Sequence, residues 1–268
     1  MGWTLESIDW AGFDPARVDA ELLALVKAAA LVEANADDYV AYLRGVFAAD
    51  PGFVAEVERW GAEEAQHGAA LGRWAMLADP HWDFAGALAD FRSGYRIDTQ
   101  ATASIRGSLT GELVARQIVE TGTSSFYTAL RDASAEPVLR AVAGRIAADE
   151  FAHYRLFARA AAGRRALPLL ARLRIAATRF AEAGDDELGW AWFAANVRPA
   201  DAGAVYAPRV HSRTYARHAL RLYRRPHIES GVRMLLRTVA LRPGGALYRL
   251  VSGALWTVVR ARVALGAA

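Results

Sequence analysis

Two stretches of this chain share a spacing suited to metal chemistry, Glu64-Ala-Gln-His67 and Glu150-Phe-Ala-His153. On an α-helix, positions i and i+3 lie on one face, so each pair offers a carboxylate and an imidazole to a single point. With 14 Glu and 6 His in the chain, random placement yields about 0.3 such pairs, the false-positive level of any short motif. Two copies stand well above that. Each pair is also preceded by a lone glutamate at nearly the same distance, Glu33 lying 31 residues before Glu64 and Glu120 lying 30 before Glu150. The absence of cysteine leaves only nitrogen and oxygen donors, which fits iron or manganese, and four carboxylates and two imidazoles are the hard, partly anionic ligands that iron needs if it is to activate dioxygen. Glu64 and Glu150, which share helices with the histidines, are best placed to bridge two metals, leaving Glu33 and Glu120 terminal. An acid precedes each of the two glutamates, Glu63 and Asp149. Metal-bound histidines usually donate their second nitrogen to a carboxylate, so Asp149 is expected to support His67 and Glu63 to support His153.

Bringing six such residues together calls for four helices. Asp50-Pro51-Gly52 falls inside the first Glu-to-Glu interval and Asp132-Ala-Ser-Ala-Glu-Pro137 inside the second, and an acid before proline suits a helix start. Glu120 and Glu150 are each roughly 18 to 20 Å from their turn at 1.5 Å per residue, so antiparallel helices would bring them level. Apolar periodicity predicts a first helix over 15–48, a second from Pro51 towards Leu77, a third from near Ser104 to the Asp132 turn and a fourth from Pro137 to about Ala162. Asp79-Pro80 ends the second helix, and residues 80–104 read as a long crossover containing a short helix. The expected fold is therefore all-α, a ferritin-like four-helix bundle over residues 1–165. A helical extension over 166–268, packed on the bundle, is broken at Gly163–Pro168, Gly184–Asp186, Arg198-Pro199, Arg225-Pro226 and Arg242–Gly245.

Charge is divided along the chain. Residues 1–150 hold 12 basic and 23 acidic residues, while 151–268 hold 20 and 6, so a net +3 conceals two halves of opposite sign. Nearly all the cations are arginine, Lys27 being the one lysine. The start, Met1-Gly-Trp-Thr-Leu-Glu, carries no long apolar run of the secretory kind, so the expected compartment is the cytoplasm, peripheral to a membrane if the basic region meets lipid.

Arg59-Trp60-Gly-Ala-Glu63-Glu64-Ala-Gln-His67-Gly68 and Ile146-Ala-Ala-Asp149-Glu150-Phe-Ala-His153 resemble the paired signatures of the soluble acyl-carrier-protein desaturases, a branch of the ferritin-like di-iron superfamily. Glu33 followed by Tyr39 resembles that family's first ligand helix, and Glu120-Thr-Gly-Thr123 its third. The resemblance covers roughly residues 30 to 160. It implies two iron ions, dioxygen as co-substrate, an external electron donor such as ferredoxin, and a fatty acyl chain on an acyl carrier protein. It also implies that Thr123 delivers protons during oxygen activation; a helical threonine can equally bond a backbone carbonyl. Residues 165–268 align with none of this. On the same six residues, a ferritin-like iron-binding protein, a rubrerythrin-like peroxidase or a di-iron hydroxylase of another small substrate are the rival readings.

Other residues read as structural. Glu112, two turns from Glu120, has Arg116 at i+4 as an ion-pair partner. Phe126, Tyr127 and Trp60 read as core, and His211, His218 and His227 lie among arginines without matched carboxylates. Residues 202–268 carry 12 arginines and one acid, Glu229, with Arg213, Arg217, Arg221, Arg224 and Arg225 in a helical stripe ahead of an apolar tail over Ala246–Val259. The tail is short for a membrane span. Three readings stand together: a docking face for an acidic carrier, an element lying on an anionic membrane surface, and a lid packed on the bundle. No recognition motif accompanies the charge, so nucleic acid is not expected as a partner, and a homodimer is left open.

Overall fold

The computed structural model of the chain describes residues 2–182 and 186–265. All regular elements among these residues are helical, and no strand occurs among them. Three short 3-10 turns, Leu5–Ser7, Trp10–Gly12 and Pro15–Arg17, precede α1 (Ala20–Glu33), α2 (Ala36–Val46), α3 (Pro51–Ala78) and α4 (Phe84–Gly94). Then come α5 (Leu109–Ala133), α6 (Pro137–Ala162), α7 (Leu169–Glu182), α8 (Asp186–Trp192) with a π-helical turn over Phe193–Val197, α9 (Pro208–Leu222), α10 (Arg225–Thr238) and α11 (Gly245–Leu265). No described helix is long and apolar enough to cross a membrane. The break expected at Gly184-Asp185 lies outside the described residues.

The chain forms two compact units. One comprises Met1–Thr102, Arg131–Arg145 and Gly184–His218, the other Ala103–Leu130, Ile146–Ala183 and Ala219–Ala268. The residues read as a single C-terminal extension thus fall in both units.

In the first unit α1 is the central rod. Leu22, Leu25, Val26, Ala28, Ala29, Ala30 and Leu31 are all buried, so the helix is apolar on nearly every side and must be enclosed. α3, α4, α8 and the π-helical turn pack around it, and α2 lies on α3. Its single lysine is accommodated because Lys27 Nζ donates to Asp79 Oδ2 at 2.7 Å and lies 5.3 Å above the Trp82 ring. From the π-helical turn, Asn196 Nδ2 donates to the Ala24 carbonyl at 3.1 Å.

Expectation and structure part company at the first ligand helix. Residues 15–48 do not form one helix: α1 stops at Glu33, and α2 restarts at Ala36 after a turn at Ala34 and Asn35. The turn is held from outside. Arg92 on α4 donates to the Ala34 carbonyl at 2.7 Å, satisfying a group that a continuous helix would have bonded internally, and to the Asn35 side-chain Oδ1 at 3.2 Å. At Gly68 on α3 the backbones come so close that a Cβ there would sit 2.6 Å from Ala34 N. The third ligand helix also starts later than expected, at Leu109, because Ser108 rather than Ser104 caps it: Ser108 Oγ accepts from Gly111 N at 3.0 Å. Ser104 Oγ instead donates to Glu112 Oε2 at 2.7 Å.

The other two ligand helices follow their caps. Asp50 Oδ1 accepts from Phe53 N at the start of α3. Glu136 caps α6 with both oxygens, accepting from Val138 N and Leu139 N, and Oε2 also takes the Trp74 indole N–H at 2.7 Å.

The second unit is built around α5. Val114, Ala115 and Ile118 of α5 pack with Ile175 of α7 and Leu235 of α10. Ile228, Val232 and Leu236 of α10 pack with Val259, Leu255 and Tyr248 of α11. Arg106 binds Glu182 through two hydrogen bonds of 2.7 and 2.6 Å, tying the approach to α5 to the end of α7.

Candidate metal centre

Each unit holds one of the two repeated ligand sets. In the first, Glu33 is the last residue of α1, and Glu64 and His67 lie one turn apart on α3. All three are buried, His67 completely. His67 Nδ1 stands 3.5 Å from Glu33 Oε2 and 3.6 Å from Glu64 Oε2. In the second, Glu120 comes from the middle of α5, and Glu150 and His153 from α6, with exposures of 1%, 1% and 2%. His153 Nδ1 lies 3.9 Å from Glu120 Oε2 and 4.0 Å from Glu150 Oε2.

The donor set fits a metal ion. Burying two carboxylates beside one imidazole is unfavourable unless a positive charge joins them. Ligands roughly 2.0 to 2.2 Å from one ion, set about 100° apart, stand a little over 3 Å from one another. The separations in the first triad are close to that value and those in the second slightly wider, and in both Nδ1 is the nitrogen that faces the carboxylates. Each triad offers one donor atom per residue within 4.8 Å of the others, so these buried Glu and His groups can hold a metal ion.

The residues around the triads differ. Thr123, half-buried on α5 one turn beyond Glu120, donates its hydroxyl to Glu150 Oε2, and Thr123 Oγ1 also lies 3.3 Å from the Glu120 carbonyl oxygen. Thr123 is therefore placed against a ligand carboxylate as well as its own helix. Near the first triad, the Trp3 indole stacks on the His67 imidazole, centroids 6.1 Å apart and planes 6° from parallel. Gln66 donates to the Trp3 carbonyl at 3.2 Å, and the Arg145 guanidinium lies 5.7 Å from the centroid of the same indole. Nothing in the sequence flags Trp3, which is 64 residues from His67 and belongs to no repeat. Asp149 and Glu63 are both half-buried on the ligand helices, Asp149 in the second unit and Glu63 in the first.

The remaining histidines have positions of their own. His211 Nδ1 accepts from Ala207 N, and burial pushes its pKa down. His227 Nδ1 accepts from Arg224 N at the start of α10, and His218 stacks on Trp192. On α9 the buried row is His211, Tyr215 and Ala219, while Arg209, Arg213, Arg217 and Arg221 are exposed about half a turn away. The stripe seen in the sequence is thus a solvent-facing row of guanidinium groups.

No protein-family model, curated protein or solved structure matches the chain. The functional reading therefore rests on the two triads and on what surrounds them.

Proposed function

We propose that the chain is a di-iron, oxygen-dependent oxidoreductase that oxidises a fatty acyl chain, its two triads acting together on a ferritin-like arrangement of the four ligand helices. The observation that carries this reading is the duplication: two buried Glu, Glu-x-x-His sets at matching intervals, each with Nδ1 turned towards its own carboxylates. Glu33, Glu64 and His67 would hold one ion and Glu120, Glu150 and His153 the other. When bound, the iron pair supplies the activation of dioxygen.

The chain's own residues have separable tasks in this reading. Thr123, already donating to Glu150 Oε2, holds a proton at that oxygen and passes it on as charge develops. Trp3 keeps the His67 ring in one orientation and shields its face from water. Asp149 and Glu63 orient His67 and His153. The acyl substrate, its carrier protein and a ferredoxin-like electron donor come from the desaturase resemblance, and the exposed arginines of α9 are the face assigned to an acidic carrier.

Anaerobic loading with ferrous iron, followed by metal analysis and Mössbauer spectroscopy, tests the core of the proposal. Two irons per chain in a coupled pair are expected, with His67→Ala and His153→Ala each losing the pair. A wild-type stoichiometry of one or none removes the di-iron centre. Turnover of peroxide without acyl oxidation, or uptake of many irons per chain, would favour the peroxidase or storage reading of the same residues.

A further inference from the structure

The second unit has a cavity of about 220 Å³ that the metal chemistry does not use. Its walls are Phe151, Tyr154 and Arg155 of α6 and Ser230, Arg233, Met234 and Arg237 of α10. Three arginines and a serine thus line one small space with no carboxylate among its lining residues. Arg155, Arg233 and Arg237 are exposed at its mouth, and none has a carboxylate partner among the described residues. Like-charged side chains so placed repel one another unless an anion joins them.

The back of the cavity is rigid. Tyr154 OH donates to the Met234 carbonyl at 3.1 Å, and Thr238 Oγ1 lies 3.2 Å from the Tyr154 oxygen, locking α10 to α6. Arg172 of α7 donates to the Thr238 carbonyl at 2.8 Å. Arg233 is itself steered, with its guanidinium 4.7 Å above the Tyr248 ring of α11. Forked guanidinium donors on a fixed wall match the oxygens of a phosphate, and three positive charges suit its dianion better than a carboxylate's single charge.

We infer that this cavity is a binding site for a phosphate monoester. The phosphate can belong to a soluble ester or to a lipid headgroup. The second source has its own motive in α11, which packs on α10 and leaves Leu247, Leu250, Val258 and Leu265 exposed on one side, at 44%, 70%, 48% and 80%, with Arg262 beside that row and Arg249 and Arg260 exposed further round the helix. The inference does not depend on the di-iron reading, because none of the lining residues is a proposed ligand.

The experiment titrates the full chain with butyl phosphate by calorimetry and, separately, measures co-sedimentation with phosphatidylcholine vesicles with and without phosphatidic acid. The test variant is Arg233→Gln/Arg237→Gln, and the charge-matched control is Arg96→Gln/Arg140→Gln, two exposed arginines of the first unit. Saturable one-to-one binding of butyl phosphate that weakens about tenfold or more in the test variant and not in the control supports a soluble ester. Binding only to phosphatidic acid vesicles, with the same dependence on the variant, supports the lipid source. Should the double variant fail to fold, Ser230→Asp places a carboxylate in the cavity and is expected to weaken the same binding. No binding in either assay, or equal losses in test and control variants, overturns the site.

Discussion

The two triads carry the same ligands at nearly the same intervals, yet the protein backs them differently. The second is set in the interior of two long helices, Glu120 in α5 and Glu150 and His153 in α6, with a hydroxyl against one carboxylate. The first is assembled at a break. Glu33 ends α1, where the helix dipole is negative and a carboxylate is disfavoured, and the turn after it is held by Arg92 and by contact with the backbone at Gly68. An aromatic ring rather than a hydroxyl lies against the first triad. A sequence repeat can thus reproduce the donors of a site without reproducing their surroundings: a hydroxyl on a carboxylate at the second, an aromatic ring over the imidazole at the first.

The largest separation between them should appear at Thr123. Thr123→Val removes the hydroxyl from Glu150 and keeps every ligand, so iron loading should be unchanged while oxygen-dependent turnover falls by about a hundredfold, the low end for a positioned proton donor. Steady-state rates with coupling of oxygen uptake to product decide it. An unchanged rate would leave the hydroxyl as a bond to its own helix and erase the functional half of the contrast.

Two glycines sharpen it on the stability side. Gly68 follows His67, and a methyl there would meet Ala34 N, Cα and Cβ at 2.6 to 2.9 Å, which the backbone cannot easily relieve. Gly68→Ala should destabilise the protein by about 1 to 3 kcal/mol and loosen the first triad. Gly122, between Glu120 and Thr123, has nothing within 4 Å of a Cβ and lies on the exposed side of α5, so Gly122→Ala should stabilise by about 0.5 to 1 kcal/mol. Urea unfolding of both variants measures the difference, and equal effects would show that the two ligand helices are equally tolerant.

Smaller still is the dipole effect at Glu33. In metal-free protein, Glu33→Gln should raise stability by about 0.3 to 1 kcal/mol through the helix dipole, while Glu120→Gln, in mid-helix, gains nothing from that source. Thermal melts of the chelated proteins read this directly; an equal gain at both positions would remove the dipole from the account.

Acid should affect both units through ion pairs away from the triads. The Lys27 ammonium beside Asp79 holds its carboxyl below the usual aspartate value of 3.8, and Arg106, then Arg179, hold Glu182 below 4.5. A carboxyl whose pKa is lower folded than unfolded contributes stability above its unfolded pKa and loses it as pH falls through the folded one. Stability should therefore decline as pH drops below about 4.5, and Glu182→Gln should flatten the upper part of that decline while Asp79→Asn flattens the lower. Unfolding midpoints between pH 5 and 2 report it, and an unaltered profile in both variants would exclude the pairs as its cause.

Much of this molecule was legible in the residues because it depends on short-range chemistry. Asp50-Pro51 and Glu136-Pro137 start α3 and α6 where acid-proline caps must, and Glu-x-x-His puts its two donors on one face wherever a helix forms. The all-helical class and the short helix between Asp79-Pro80 and α5 follow from the same local rules. The break after Glu33 does not. Ala28 to Val40 contains neither glycine nor proline, and its apolar spacing runs through Asn35 without interruption. Only the neighbouring helices decide otherwise, α4 by bonding the freed carbonyl through Arg92 and α3 by bringing Gly68 against the turn. Trp3 on His67 and the three arginines at one cavity are likewise decided by tertiary structure, because residues far apart along the chain meet there and no period or cap records their meeting.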